Sequence, residues 1–147
     1  MTDQSLIQFF TQDHRSCDEL WITVEAAAEG NNPDLLKEAA QKFDQALRHH
    51  LSMEEEILFP ALEQATGTTG GPTQVMRMEH EQMRNLLDQM EETLTAGNSQ
   101  ELLDLGDTLL MLIAQHNNKE EGMLYPMAER SLAGQWEQLR QRLTPSV

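Results

Sequence analysis

One pattern occurs twice in the sequence. His50-Leu-Ser-Met-Glu54-Glu55-Glu56-Ile-Leu58-Phe59-Pro60 and His116-Asn-Asn-Lys-Glu120-Glu121-Gly-Met-Leu124-Tyr125-Pro126 each set Glu four and five residues after a His. Leu, an aromatic ring and Pro follow at the eighth, ninth and tenth positions, and the two copies lie 66 residues apart. On an α-helix a step of four residues turns about 40° past a full circle and rises about 6 Å, so His50 and Glu54 share a face, as do His116 and Glu120. Each helix can then offer one nitrogen and one oxygen to the same place. Such pairs, facing one another across a bundle core, are how four-helix proteins hold two metal ions.

The offset of 66 residues extends well beyond the two motifs. Without a gap it pairs His14 with His80, Leu20 with Leu86, Glu25 with Glu91, Asn32 with Asn98 and Leu36 with Leu102. Leu6, Phe10, His14, Cys17, Trp21, Val24 and Ala28 recur at three- and four-residue steps, the inward stripe of a first helix that Gly30-Asn31-Asn32-Pro33 closes. A second helix carries Leu36, Phe43, Leu47, His50, Glu54, Ile57 and Leu58 inward and runs to about Thr66. Pro60 lacks the N–H that would bond the Glu56 carbonyl, so a kink rather than a stop is expected there.

Gly67 to Pro72 is the strongest break. A third helix then shows Met76, His80, Met83, Leu87, Met90 and Leu94 as its stripe, and a fourth shows Leu102, Leu105, Leu109, Ile113, His116, Glu120 and Met123. A short amphipathic helix near residues 132–143 is expected to pack on the outside. The fold class is all-α: an up-down four-helix bundle, one domain over residues 1–147, made of hairpins near 4–66 and 72–131 related by an approximate twofold axis.

The formal net charge of -15 opposes binding to nucleic acid or an anionic membrane, both of which are polyanionic. Cys17 is the single cysteine, so no disulfide can form within the chain. No basic-then-apolar leader pattern opens the sequence, and the apolar run Leu109 to Ala114 is too short to span a bilayer. A cytoplasmic protein, monomer or homodimer, is the expectation.

Four His and two Glu on core-facing stripes would cost several kcal/mol to bury unpartnered, and a metal pair compensates all six together. His14 and His50 on one ion, His80 and His116 on the other, and Glu54 and Glu120 bridging give each ion four protein donors. Imidazole and carboxylate without thiolate suit iron or manganese, with zinc and copper able to bind. A bridging oxygen, oxo or hydroxo, would bring each ion to five donors. His49 points about 100° off this face. Glu55, Glu79, Glu81 and Glu121 read as solvated groups or as groups supporting the ligands, Cys17 as an apolar filler, and the methionines as core. Tyr125 falls about 180° from His116 on a regular helix, which turns it away from the metals.

At these residues the chain resembles the hemerythrin-like, or HHE cation-binding, domains over residues 6–130. The resemblance is carried by Asp13-His14-Arg15, His50-x3-Glu54-Glu55-x2-Leu58-Phe59-Pro60, Glu79-His80-Glu81 and His116-x3-Glu120-Glu121-x2-Leu124-Tyr125-Pro126. It implies an up-down four-helix bundle holding two non-haem iron ions that react with dioxygen or nitric oxide. Met76 stands where invertebrate hemerythrins have a fifth His, so the likeness is to the four-His kind found in bacterial iron–sulfur repair di-iron proteins. The functional expectation is a protein that binds, senses or scavenges dioxygen or nitric oxide. Iron storage or donation for cluster repair is the alternative, as is a di-iron peroxidase or oxidase, although no substrate-binding motif accompanies the site.

Overall fold

The structure, a computed structural model, describes residues 4–147, and all regular elements among them are helical. The first three residues of the expected domain lie outside the described residues. Helix α1 (Leu6–Glu29) starts on a reciprocal cap, in which the Ser5 hydroxyl accepts from the Gln8 N–H and the Gln8 side chain accepts from the Ser5 N–H. Helix α2 (Pro33–Met53) passes through one π-helical turn (Glu54–Leu58) into α3 (Phe59–Thr66). Helices α4 (Pro72–Thr95) and α5 (Ser99–Lys119) repeat the arrangement, with a second π-helical turn (Glu120–Leu124), α6 (Tyr125–Ser131) and a short α7 (Trp136–Arg140).

The paired asparagines of the repeat prove to be equivalent caps. Asn32 Oδ1 accepts from the Leu35 N–H at 3.2 Å and Asn98 Oδ1 from the Glu101 N–H at 3.1 Å, each starting the second helix of its hairpin. Gly67 ends α3 at φ 73°, a left-handed conformation that suits a residue without Cβ. Helix α1 packs on α2 and α4 on α5, while contacts of α2 with α4 and of α1 with α5 and α6 join the hairpins. The result is the up-down bundle expected, and no described helix is long and apolar enough to cross a membrane.

Two apolar clusters fill the bundle. One holds Trp21, Phe43, Leu87 and Leu102, and the other Phe10, Phe59, Leu62, Met76 and Tyr125. Along each helix the candidate ligands fall between members of the two clusters, as His50 does between Leu47 and Met53. Met53, Met76, Met83 and Met90 are core as expected, but Met78, Met111 and Met123 are exposed. Met123 leaves the stripe because the second π-helical turn carries Leu124 inward in its place.

Gly106 is the position where a side chain is least tolerable. A Cβ there would lie 2.0 Å from Trp21 Cη2 and 2.2 Å from Cζ2, so the indole ring rests directly on the α5 backbone. Ala normally favours a helix over Gly by about 1 kcal/mol, whereas overpacking a rigid ring costs about 1–3 kcal/mol. Gly106→Ala should therefore lower the thermal unfolding midpoint. A raised midpoint would mean that the Trp21 ring swings aside freely.

Candidate metal centre

The six expected donors converge at mid-bundle, all buried. His14 comes from α1, His50 from the end of α2, His80 from α4 and His116 from the end of α5. Glu54 and Glu120 open the two π-helical turns. Two groups of donors could each hold an ion: His14, His50, Glu54 and Glu120 in one, and His80, His116, Glu54 and Glu120 in the other. Both carboxylates belong to both groups. Glu120 lies with Oε1 3.0 Å from His14 Nε2 and Oε2 3.0 Å from His116 Nε2, and so spans the two. Glu54 Oε1 lies 3.1 Å from His80 Nε2 and 3.5 Å from His50 Nε2.

Each His ring is fixed from behind by a carboxylate on its Nδ1. The distances are 2.7 Å from His50 to Asp13, 2.7 Å from His80 to Glu55, 2.8 Å from His116 to Glu79 and 2.7 Å from His14 to Glu121. With Nδ1 held by its carboxylate, each ring turns Nε2 inward, and such supporting carboxylates select the metal-binding tautomer once the Nε2 proton is lost. The same 66-residue offset relates these supports. Glu55 and Glu121 each reach a His of the opposite hairpin, while Asp13 and Glu79 each reach a His of their own.

Three supports are in turn anchored by cations. Arg84 Nη2 donates to Glu55 and Arg15 Nη2 to Glu121, both at 2.9 Å, and Lys119 donates to Glu79. These cations depress the pKa of all three carboxylates together with the His partners, against the upward push of burial. Asp13 is held differently: the Ser146 N–H donates to Oδ1 at 2.7 Å and the Ser146 hydroxyl to Oδ2. The residues beyond the expected tail helix thus reach a group that orients His50. His49, off the ligand face as expected, is exposed and bonds the Thr144 carbonyl oxygen at 2.8 Å. Glu81 is exposed, so of the four flanking glutamates it alone follows the solvated reading.

Tyr125 contradicts its expected position. Its hydroxyl lies 2.6 Å from Glu54 Oε2, 2.9 Å from Glu120 Oε1 and 3.0 Å from His14 Nε2. The cause is the π-helical turn, closed by the Tyr125 N–H on the Glu120 carbonyl five residues back. One extra residue in that turn makes five steps cover the rotation of four, so Tyr125 lies about 40° from Glu120 instead of about 140°. The first copy behaves alike, with Phe59 bonding back to Glu54 and its ring stacked on His80 at 5.5 Å. Helix continues past Pro60 as expected, and the irregularity is this widened turn. Arg77 Nη1 donates at 3.3 Å to the Glu55 carbonyl, which in the widened register faces the missing Pro60 donor.

The model of the Hemerythrin HHE cation binding domain family matches residues 5–128. The chain belongs to this family. No curated protein and no solved structure matches it. As a hemerythrin-family chain with two buried His and Glu groups, it is a metal-binding protein. Cys17, buried on the same stripe as His14, is no rival to these donors. Burial, with Asp13 and Asp18 beside it, pushes its thiol up to about 12 and keeps it protonated.

Protons take the place of metal in the free protein. Burial pulls the His80 pKa down, but hydrogen bonds to Glu54 and Glu55 outweigh it and raise the ring from 6.5 to about 9. Glu120, pushed up by burial, ends well below its ordinary range through His116 and His14. A raised folded-state pKa stabilises the fold fully below about 6.5, and that contribution disappears as pH climbs through about 9. Metal-free protein should therefore melt progressively lower across this interval. Metal-loaded protein should gain stability relative to it, since ions and protons compete for the same rings. A metal-free midpoint that holds level or rises over the interval would contradict the charged His80.

Proposed function

We propose that the chain holds two iron ions, bridged by Glu54 and Glu120, and uses them to bind, sense or scavenge dioxygen or nitric oxide. The observation that carries the metal assignment is a set of orphaned atoms. His50 Nε2, Glu54 Oε1 and Glu120 Oε2 are fully buried without a well-aligned hydrogen bond, their close polar neighbours being other donors of the same cluster, 3.5 Å between His50 and Glu54, 3.1 Å from Glu54 to His80 and 3.0 Å from Glu120 to His116. A buried polar atom left so costs about 1–3 kcal/mol unless a proton or an ion satisfies it. All three are atoms that the two donor groups would turn on an ion. Nitrogen and oxygen donors without sulfur fit iron, with manganese or zinc as substitutes.

The space beside the donors is small. A cavity of ≈ 10 Å³ is lined by His14, His50 and His116 together with apolar residues that include Leu47, Leu51, Met83 and Ile113. That is about the space of one water-sized body, which favours a ligand as small as a diatomic over an organic substrate. A wider cavity of ≈ 400 Å³ between α2 and α4, lined by Trp21, Lys37 and Met90, touches none of the six donors. A pair of iron ions supplies the electrons with which such a diatomic is bound or reduced. The chain's own part is to fix four Nε2 lone pairs, to keep bulk water out with two apolar clusters, and to hold the supporting protons on Nδ1.

Protein isolated from iron-replete cells should contain two irons per chain, and His50→Ala should lose much of that iron. One iron per chain, indifferent to the substitution, would sink the site assignment. Anaerobic stopped-flow mixing of the reduced protein with dioxygen, and separately with nitric oxide, should give a stable adduct with at least one of them. Release of iron would point to storage or donation, and steady consumption of a reductant to an oxidase or peroxidase.

A further inference from the structure

The hydroxyl of Tyr125 is buried, and its three partners, Glu54, Glu120 and His14, are all candidate ligands. Donors at right angles around an ion, each with a bond of about 2.1 Å, sit about 3 Å from one another. The hydroxyl stands 2.6, 2.9 and 3.0 Å from its partners, the separation of neighbours in one coordination shell. It lies against the group that contains His14 rather than midway between the groups. No such oxygen exists on the other side of the approximate twofold axis, where the residue is Phe59 and its ring stacks on His80. The repeat is therefore broken at one atom, and that atom is a hard oxygen of the kind iron prefers.

We propose that Tyr125 is a seventh protein ligand, its phenolate oxygen bound to the ion held by His14 and His50. The inference rests on the di-iron reading and deepens it. On binding, the phenol O–H bond breaks, an oxygen–iron bond forms, the proton leaves to water, and no electron moves. The ion of His14 and His50 then has five protein donors and the ion of His80 and His116 has four. The first is the better stabilised in the ferric state, and the second is the one left a donor short.

Tyr125 is the single tyrosine in the sequence, so any tyrosinate signal belongs to it. Oxidised protein carrying two irons per chain should absorb visible light through phenolate-to-iron charge transfer. Resonance Raman excited in that band should show enhanced tyrosinate ring vibrations that shift when the protein is grown on ring-deuterated tyrosine. Tyr125→Phe should lose both signals while keeping two irons, and adding Phe59→Tyr to that variant should restore them on the other ion. The labelled parent decides the matter alone if either variant fails to fold. Two irons per chain without ring vibrations would overturn the ligand role and leave the di-iron reading standing, with the phenol donating to Glu54. A chain that takes up no iron would overturn both.

Discussion

The short bond between each ring Nδ1 and a carboxylate is what the rest of this molecule is arranged to keep. It fixes the proton on the outer nitrogen, turns Nε2 inward and so makes four separate helices present lone pairs to one place. Because the donors are buried between two apolar clusters, no water can relax a misplaced ring. Three of the carboxylates, Glu121, Glu55 and Glu79, sit nearer the surface, where Arg15, Arg84 and Lys119 hold them, while Asp13 is buried and held by Ser146. Such partly exposed ion pairs add little stability, about 0–1 kcal/mol each, and their value lies in orientation. The polar centre is thus built outward in layers, from bare nitrogen to carboxylate to cation.

The hairpins, most of the inward stripes and the convergence of the six candidate donors were legible because they obey regular helical spacing and are written twice. Asn32 and Asn98 show how far the repeat reaches, since they occupy equivalent positions in sequence and prove equivalent as caps. Tyr125 and Met123 were misplaced for one shared reason. A π-helical turn adds one residue without changing the composition of the helix, so every angle counted past Glu120 is wrong by about 100°. The Pro ten residues after each His was the available sign of an irregular turn, but it does not say on which side of itself the extra residue falls.

The supporting carboxylates left a fainter trace. Asp13 and Glu79 each precede a donor His, and Glu55 and Glu121 each follow a donor Glu, all paired by the same offset. Their role could be guessed from that doubling, whereas the partner of each could not, since Glu55 and Glu121 cross to the other hairpin. The hold of Ser146 on Asp13 joins residues 133 positions apart and has no periodicity to reveal it. It also marks a second break in the twofold symmetry, because the equivalent Glu79 is held by Lys119 from within the bundle.

Two ions sharing Glu54 and Glu120 is the claim on which this account stands. Anomalous diffraction from crystals of the iron-loaded protein tests it most directly. The account predicts two iron peaks about 3.5 Å apart, one flanked by His14 and His50 and the other by His80 and His116. A single peak within the cluster, or iron only at the acidic surface, would contradict it.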